Sequence, residues 1–135
     1  MASQSEVNSA TVRDGSARII AIVDDDESVR VALKGMLKSV GLPAQAFASA
    51  EDFLNSGLLH RTACLIADIR MPGMSGLDLQ SKLNAEHCRI PTIFLTAHGD
   101  ANMRLQALRG GAVEFLAKPF DDEVLLENVR AALES

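Results

Sequence analysis

The sequence predicts an α/β fold with a doubly wound, five-stranded parallel sheet. Four apolar runs rich in Ile, Val, Leu and Ala lie far apart in the chain, at residues 19–23, 64–67, 93–95 and 113–117. Helix-like segments separate these runs, and continuous apolar runs of this kind are typical of parallel strands covered on both faces. Strand-helix alternation with short connections then favours one sheet with right-handed crossovers.

Each predicted helix has residues suited to its ends. Apolar residues three and four apart predict a helix over 28–40, which Gly41 ends. The Ser49 hydroxyl caps a second helix, and acidic residues begin the last one after residue 121. The predicted order is a strand at 19–23, a helix at 28–40, a weak strand at 44–47, a helix after Ser49, a strand from 64, a helix at 77–86, a strand after Pro91, a helix at 100–109, a strand at 113–117 and a last helix with Leu125, Val129, Ala132 and Leu133 on one face.

Length and composition are those of one domain. The chain has 135 residues, of which 47% are hydrophobic, enough for one packed core. Residues 1–17 are rich in Ser, Ala, Asn and Gln and lack apolar periodicity, which predicts a disordered leader. A single ordered domain is therefore expected over residues 18–135.

Charge, cysteine content and hydropathy exclude several classes of partner. A net charge of −5 argues against direct nucleic-acid binding, since no basic surplus is present to neutralise phosphates. Cys64 and Cys88 lack metal-ligand spacing and are expected to be reduced thiols. No apolar stretch approaches the ~18 residues of a membrane span. These observations predict a cytoplasmic protein without a membrane partner.

Reactive polar residues follow the predicted strands at their carboxyl ends. Asp24 and Asp25 follow the first strand, and Asp68, Thr96 and Lys118 follow three later ones. The carboxyl ends of parallel strands share one edge, which is where open α/β sheets bind ligands. Because one helix-containing crossover separates successive strands, we expect these side chains to converge.

The residue types at this edge predict phosphoryl chemistry with Mg²⁺ as cofactor. Asp24, Asp25 and Asp68 offer hard oxygen ligands, and three neighbouring carboxylates would repel each other without a cation. A divalent cation would also neutralise an arriving phosphoryl group, and aspartate can form an acyl phosphate. Thr96 would donate a hydrogen bond, and Lys118 a positive charge, to the phosphoryl oxygens.

Four segments carry a resemblance to a known family. They are Val-Asp-Asp at 23–25, Asp-Ile-Arg-Met-Pro-Gly-Met-Ser-Gly at 68–76, Leu-Thr-Ala-His-Gly-Asp at 95–100 and Lys-Pro-Phe at 118–120. Together they resemble the receiver domain of bacterial response regulators, a flavodoxin-like (βα)5 fold of the CheY-like superfamily. The second and third segments are most similar to the FixJ-type subfamily.

The resemblance implies a role for each matching residue of the site. Asp68 would be the phosphoacceptor, and Lys118 would contact the phosphoryl group. Asp25, Asp68 and the backbone carbonyl of Arg70 would bind Mg²⁺ directly, while Asp24 would act on the metal mostly through water. A sensor histidine kinase would donate the phosphoryl group from a phosphohistidine.

The resemblance further implies a switch and a rim around the site. Thr96 and Phe115 match the switch pair, Arg70 and His98 match rim positions that govern the access of water, and the bond before Pro119 is expected to be cis. If Thr96 moves to the phosphoryl group, Phe115 can turn inward and remodel the face formed by the fourth helix, fifth strand and last helix. That face resembles a homodimerisation surface, so phosphorylation is expected to favour a homodimer.

The expected output is transcription, through a DNA-binding domain that this chain lacks. The chain would then be no enzyme, although it would catalyse its own phosphorylation and dephosphorylation. A stand-alone receiver that acts by protein binding is the first alternative. A Mg²⁺-dependent aspartyl phosphatase would normally need a second acid where Arg70 stands. A flavin or nucleotide carrier fits poorly with the acidic edge and the absence of Trp and Tyr, and an adaptor with a degenerate site would bind no Mg²⁺.

Overall fold

A computed structural model describes residues 18–134, so the predicted disordered leader at 1–17 lies outside the described residues. Within that range the chain forms one five-stranded, all-parallel sheet, which confirms the predicted fold class. The strands are β1 (Ile19–Val23), β2 (Ala44–Phe47), β3 (Thr62–Asp68), β4 (Thr92–Thr96) and β5 (Glu114–Ala117). The helices are α1 (Glu27–Ser39), α2 (Ala50–Leu54), α3 (Gly76–Ala85), α4 (Ala101–Arg109) and α5 (Asp122–Glu134).

The strands lie in the order β2-β1-β3-β4-β5, so both β1 and β3 are central. Alternate residues of β1 belong to two apolar clusters, because successive side chains of a strand point to opposite faces. Val23 packs in the cluster that contains Phe53 of α2, with buried residues of α3 and α4. Ile22 packs in the cluster that contains Leu33 of α1 and Leu125 of α5. Helices therefore cover both faces of the sheet.

The edge strand β5 is more exposed than its mostly apolar sequence predicts. Every residue of β1 is buried, whereas in β5, which begins at Glu114, only Phe115 is buried. Val113 was expected in this strand, but it lies just before β5 and is 36% exposed. Leu133 was predicted to share one face of α5 with Leu125 and Val129, yet it is 37% exposed whereas those two residues are buried. An edge strand has one neighbour instead of two, so its outer side stays open to solvent.

Side-chain caps begin the helices that lead away from the site. Ser49 accepts a hydrogen bond from the Asp52 N–H, as the sequence predicts. Ser75 and Asp78 form a reciprocal capping box at α3, which sequence reasoning missed. Two further departures from the prediction are that β3 begins at Thr62 and that a short 3-10 helix (Leu59–Arg61) precedes it. In residues 18–134, no helix has the length and apolar character needed to cross a membrane.

Candidate functional site

The predicted carboxylate cluster lies at the carboxyl edge of the central strands. Asp24 and Asp25 follow β1, and Asp68 is the last residue of β3, the strand beside it. One carboxylate oxygen from each of the three residues lies within 4.8 Å of the other two. Asp24 and Asp68 are buried, with exposed fractions of 2% and 8%, whereas Asp25 is exposed. The cluster is therefore open to solvent on the Asp25 side.

Lys118, directly after β5, extends across this edge into the cluster. Its Nζ donates hydrogen bonds to Oδ2 of Asp24 at 2.7 Å and to Oδ2 of Asp68 at 3.0 Å. Its backbone N–H donates to the Thr96 carbonyl at 2.9 Å, which holds the segment beside β4. The Lys118-Pro119 bond is cis, as the resemblance implied.

Burial and hydrogen bonding shift the pKa values of Asp24 and Lys118 in opposite directions. Burial raises the pKa of Asp24 above its usual value, even though the hydrogen bond from Lys118 favours the ionised form. Burial alone would lower the pKa of Lys118, but its hydrogen bonds to Asp24 and Asp68 outweigh this and raise it. Lys118 is therefore a cation at neutral pH.

The donor set suits a hard divalent cation. All three side chains offer carboxylate oxygens, which Mg²⁺ prefers, and two of them are already held in place by burial and by Lys118. One lysine offsets one of three potential negative charges, so the cluster keeps an excess of negative charge for an added cation. Asp68 Oδ1 accepts a hydrogen bond of 3.2 Å from the Arg70 N–H, which keeps Arg70 close to the cluster.

The predicted switch residues, Thr96 and Phe115, lie together beside the cluster. Thr96 ends β4 and is 1% exposed, and its Oγ1 accepts a hydrogen bond of 3.4 Å from the His98 N–H. A Cβ placed on Gly99 would lie 2.6 Å from Cζ of Phe115 and 2.7 Å from Cγ2 of Thr96. Both side chains therefore pack against the Gly99 backbone. Phe115 is only 8% exposed and belongs to a buried apolar cluster, so its side chain already points inward in this structure.

The predicted rim residues are also brought together. Arg70 and His98 are both exposed at the mouth of the site. The Nε of Arg70 donates to the backbone carbonyl of His98 at 3.4 Å, and this bond links the loop after β3 to the loop after β4. The contact uses the His98 backbone and therefore does not depend on its imidazole. His60 and His87 are exposed, as expected for surface residues.

Two contacts around the site were missed by sequence reasoning. Arg104 of α4 donates to the Phe115 carbonyl at 3.0 Å and lies 3.3 Å from the Glu114 carboxylate, so it ties α4 to β5. Glu51 of α2 accepts a hydrogen bond from the Met74 N–H in the loop after β3. Neither contact has a signal in the sequence, because an exposed charged residue on a helix is ordinarily solvated.

Comparisons with known proteins agree on the family. Residues 20–130 match the family described as "Response regulator receiver domain". Nodulation protein W of Bradyrhizobium diazoefficiens is 48% identical over 116 residues, covering 86% of this chain and 51% of that protein. The response regulator protein TodT of Pseudomonas putida is 47% identical over 117 residues, covering 87% and 52%. The transcriptional regulatory protein FixJ of Azorhizobium caulinodans is 41% identical over 114 residues, covering 84% and 54%.

Solved structures give the same result. The response regulator StyR matches with a TM-score of 0.81 and 42% identity over 87% of this chain and 60% of that one. FixJ-N matches with a TM-score of 0.77 and 39% identity, covering 87% of this chain and 94% of that one. The chain spans about half the length of the curated relatives it matches.

Proposed function

Because the chain belongs to the family of response regulator receiver domains, we propose that Asp68 accepts a phosphoryl group in a Mg²⁺-dependent reaction. The observation that carries this proposal is the buried carboxylate of Asp68, which lies 3.0 Å from the Lys118 ammonium and within 4.8 Å of the Asp24 and Asp25 carboxylates. The donor is a phosphohistidine on a sensor histidine kinase. The bond formed joins an Asp68 oxygen to phosphorus, and the bond broken joins phosphorus to the histidine nitrogen.

The residues around Asp68 have distinct roles in this transfer. Asp24, Asp25, Asp68 and the backbone carbonyl of Arg70 would hold the Mg²⁺ ion, with Asp24 acting mostly through water. When bound, Mg²⁺ supplies positive charge that offsets the charge of the phosphoryl oxygens. Lys118 lies close enough to Asp68 to contact one of these oxygens, and the Thr96 hydroxyl donates to another. Arg70 and His98 govern the access of water to the acyl phosphate from the rim.

The acyl phosphate then acts as a switch. It adds negative charge and strong hydrogen-bond acceptors beside the buried Thr96 hydroxyl. Movement of Thr96 alters the packing against Gly99 and Phe115, which changes the face formed by α4, β5 and α5. The hydrogen bond that Arg104 of α4 donates to the Phe115 carbonyl supports this proposal, because it connects Phe115 to α4. Exposed apolar side chains on this face, among them Leu105 at 48% and Val124 at 40%, support its use as a homodimer surface.

The proposed output is control of transcription, in the cytoplasm, through a DNA-binding domain outside this chain. The names of relatives such as FixJ, a transcriptional regulatory protein, support this output. The acidic receiver itself is not proposed to bind nucleic acid or membrane, nor to act on other substrates. A receiver that acts only by binding another protein is the alternative output.

The experiment is incubation of the protein with acetyl phosphate, with and without Mg²⁺, followed by intact-mass and native-size measurements. One added phosphoryl group is expected, and only with Mg²⁺. Asp68→Asn should abolish it, whereas Asp52→Asn, a change at an exposed aspartate of α2, should not. The native mass should shift from that of a monomer to that of a dimer on phosphorylation if the protein dimerises through the α4-β5-α5 face.

Two outcomes would contradict the proposal. An adduct that persists in Asp68→Asn would remove the phosphoacceptor assignment. Continuous turnover of a small phosphoester, without a stable adduct, would instead support the phosphatase alternative.

A further inference from the structure

We propose that Glu51 is a positioning residue that holds the loop between β3 and α3 in the shape required for metal binding. This inference rests on the proposed function, because the loop carries Arg70, whose carbonyl is a proposed Mg²⁺ ligand. Glu51 lies on α2 and touches neither the carboxylate cluster nor the reacting atoms. Its role is therefore exerted through the loop.

The Glu51 carboxylate lies directly against the apex of this loop. Its Oε2 accepts a hydrogen bond of 3.1 Å from the backbone N–H of Met74. A Cβ placed on Gly73 would lie 2.7 Å from the same oxygen, and Gly73 has a φ of +77°. A Cβ at position 73 would therefore displace the Glu51 carboxylate from its present place beside the Met74 N–H, and the positive φ separately favours glycine there.

The backbone N–H groups at the two ends of the loop make local hydrogen bonds. At the start, the Arg70 N–H donates to Asp68, within the same β3-α3 connection. At the end, the Gly76 N–H donates 2.8 Å to the Ile69 carbonyl, and Ser75 caps α3. The Nε of Arg70 also donates to the His98 carbonyl at 3.4 Å and ties the start of the loop to the segment after β4. The Glu51 bond differs because it holds the apex of the loop, which it joins to α2.

The α2 helix, from which Glu51 makes this contact, is anchored in the apolar core. Ala50 and Phe53, which flank Glu51 on the same helix, are both fully buried in the core. Ser49 caps the helix through the Asp52 N–H, which fixes its first turn. Groups that orient metal ligands commonly change metal affinity when they are removed.

The first test measures the contact itself in the protein without Mg²⁺. Amide hydrogen exchange at Met74 is followed by NMR in wild type, Glu51→Ala, Glu51→Gln and Asp52→Ala. Exchange is expected to rise about tenfold in Glu51→Ala, because the N–H loses its acceptor. Glu51→Gln keeps an oxygen acceptor and should stay near wild type. Asp52→Ala removes the same charge from the neighbouring position and should also stay near wild type.

The second test measures Mg²⁺ affinity by calorimetric titration of the same variants. Glu51→Ala is expected to raise the dissociation constant about three- to tenfold, and saturating Mg²⁺ should restore phosphorylation by acetyl phosphate. Glu51→Gln and Asp52→Ala should remain within about twofold of wild type. Thermal melting of every variant identifies any loss of folding.

The possible failures are distinguishable. If amide exchange at Met74 is unchanged in Glu51→Ala, the proposed restraint of the loop by the Glu51 hydrogen bond is wrong, whatever the Mg²⁺ affinity of that variant. Faster exchange with unchanged Mg²⁺ affinity overturns the positioning role. An equal loss of affinity in Glu51→Ala, Glu51→Gln and Asp52→Ala assigns the effect to charge and also overturns it. If wild type itself binds no Mg²⁺, the failure lies in the proposed function, and the positioning role is lost with it.

Discussion

The Nζ atom of Lys118 donates a 2.7 Å hydrogen bond to Oδ2 of Asp24, and this bond joins the segment after β5 to the end of β1. The Lys118 and Asp24 side chains are only 16% and 3% exposed. A lysine is therefore the cation that the structure itself supplies to the carboxylate cluster. Loss of one partner from such a buried pair leaves the other charge uncompensated.

Lys118→Met is expected to lower the free energy of unfolding by roughly 2 kcal/mol in EDTA, because two buried carboxylates lose their cation. Added Mg²⁺ should recover part of this loss, since a divalent cation replaces the missing charge. Urea unfolding with EDTA and with Mg²⁺ measures both effects.

The matched control for this prediction is Lys82→Met. Lys82 pairs with Glu86 at 3.1 Å on the surface of α3, where both side chains are about half exposed. A change within about 0.5 kcal/mol is expected there, because solvent screens such pairs. Equal losses at Lys82 and Lys118 would contradict a special role for the buried pair.

Gly99→Ala is expected to disturb the switch residues without touching the carboxylates. The added methyl group would lie 2.6 Å from Cζ of Phe115 and 2.7 Å from Cγ2 of Thr96, so one of these side chains must move. A loss of about 1–3 kcal/mol of stability is expected from such overpacking, together with shifted Phe115 ring signals in NMR spectra. Unchanged ring signals would show that Phe115 does not pack against Gly99.

Gly35→Ala is expected to stabilise the protein by about 0.5–1 kcal/mol. Gly35 lies within α1, and a Cβ there would have no neighbour within 4 Å. Gly41→Ala should destabilise it instead, because Gly41 follows α1 with a φ of +80°. Urea unfolding measures the change in the free energy of unfolding for both variants. An increase in Gly41→Ala would contradict the left-handed backbone conformation of Gly41.

The two cysteines are expected to differ in their reaction with iodoacetamide. Burial raises the pKa of the Cys64 thiol to about 12, so almost no reactive thiolate forms near neutral pH. Burial and the nearby Glu86 also raise the pKa of Cys88, but its side chain is partly exposed. Mass spectrometry of the native protein should show slow labelling at Cys88 only. Both residues should react in urea, and native labelling of Cys64 would contradict its burial.

Much of the fold could be predicted from local signals. The bounds of β1 and β2 agree with the prediction, because residues that favour turns or helix caps lie beside them: Asp24 and Asp25 follow β1, Gly41 and Pro43 precede β2, and Ser49 follows it. The exposure of Val113 could not be predicted, because a short apolar run can form a central strand or an edge strand and the sequence does not show which. The capping box at Ser75 was missed because the Pro- and Gly-rich segment before it was interpreted only as a turn.

The strand-helix order could be predicted from the sequence, and so could the chemical groups of the site: three carboxylates, a hydroxyl and an ammonium at predicted strand ends. These features depend on hydrophobic periodicity and on residue identity, which are local. The hydrogen bonds from Lys118 to Asp24 and Asp68, and the one from the Met74 N–H to Glu51, are seen only in the folded chain. Such contacts depend on the packing of helices and strands that are distant in the chain, and no local pattern specifies the distance between their side chains.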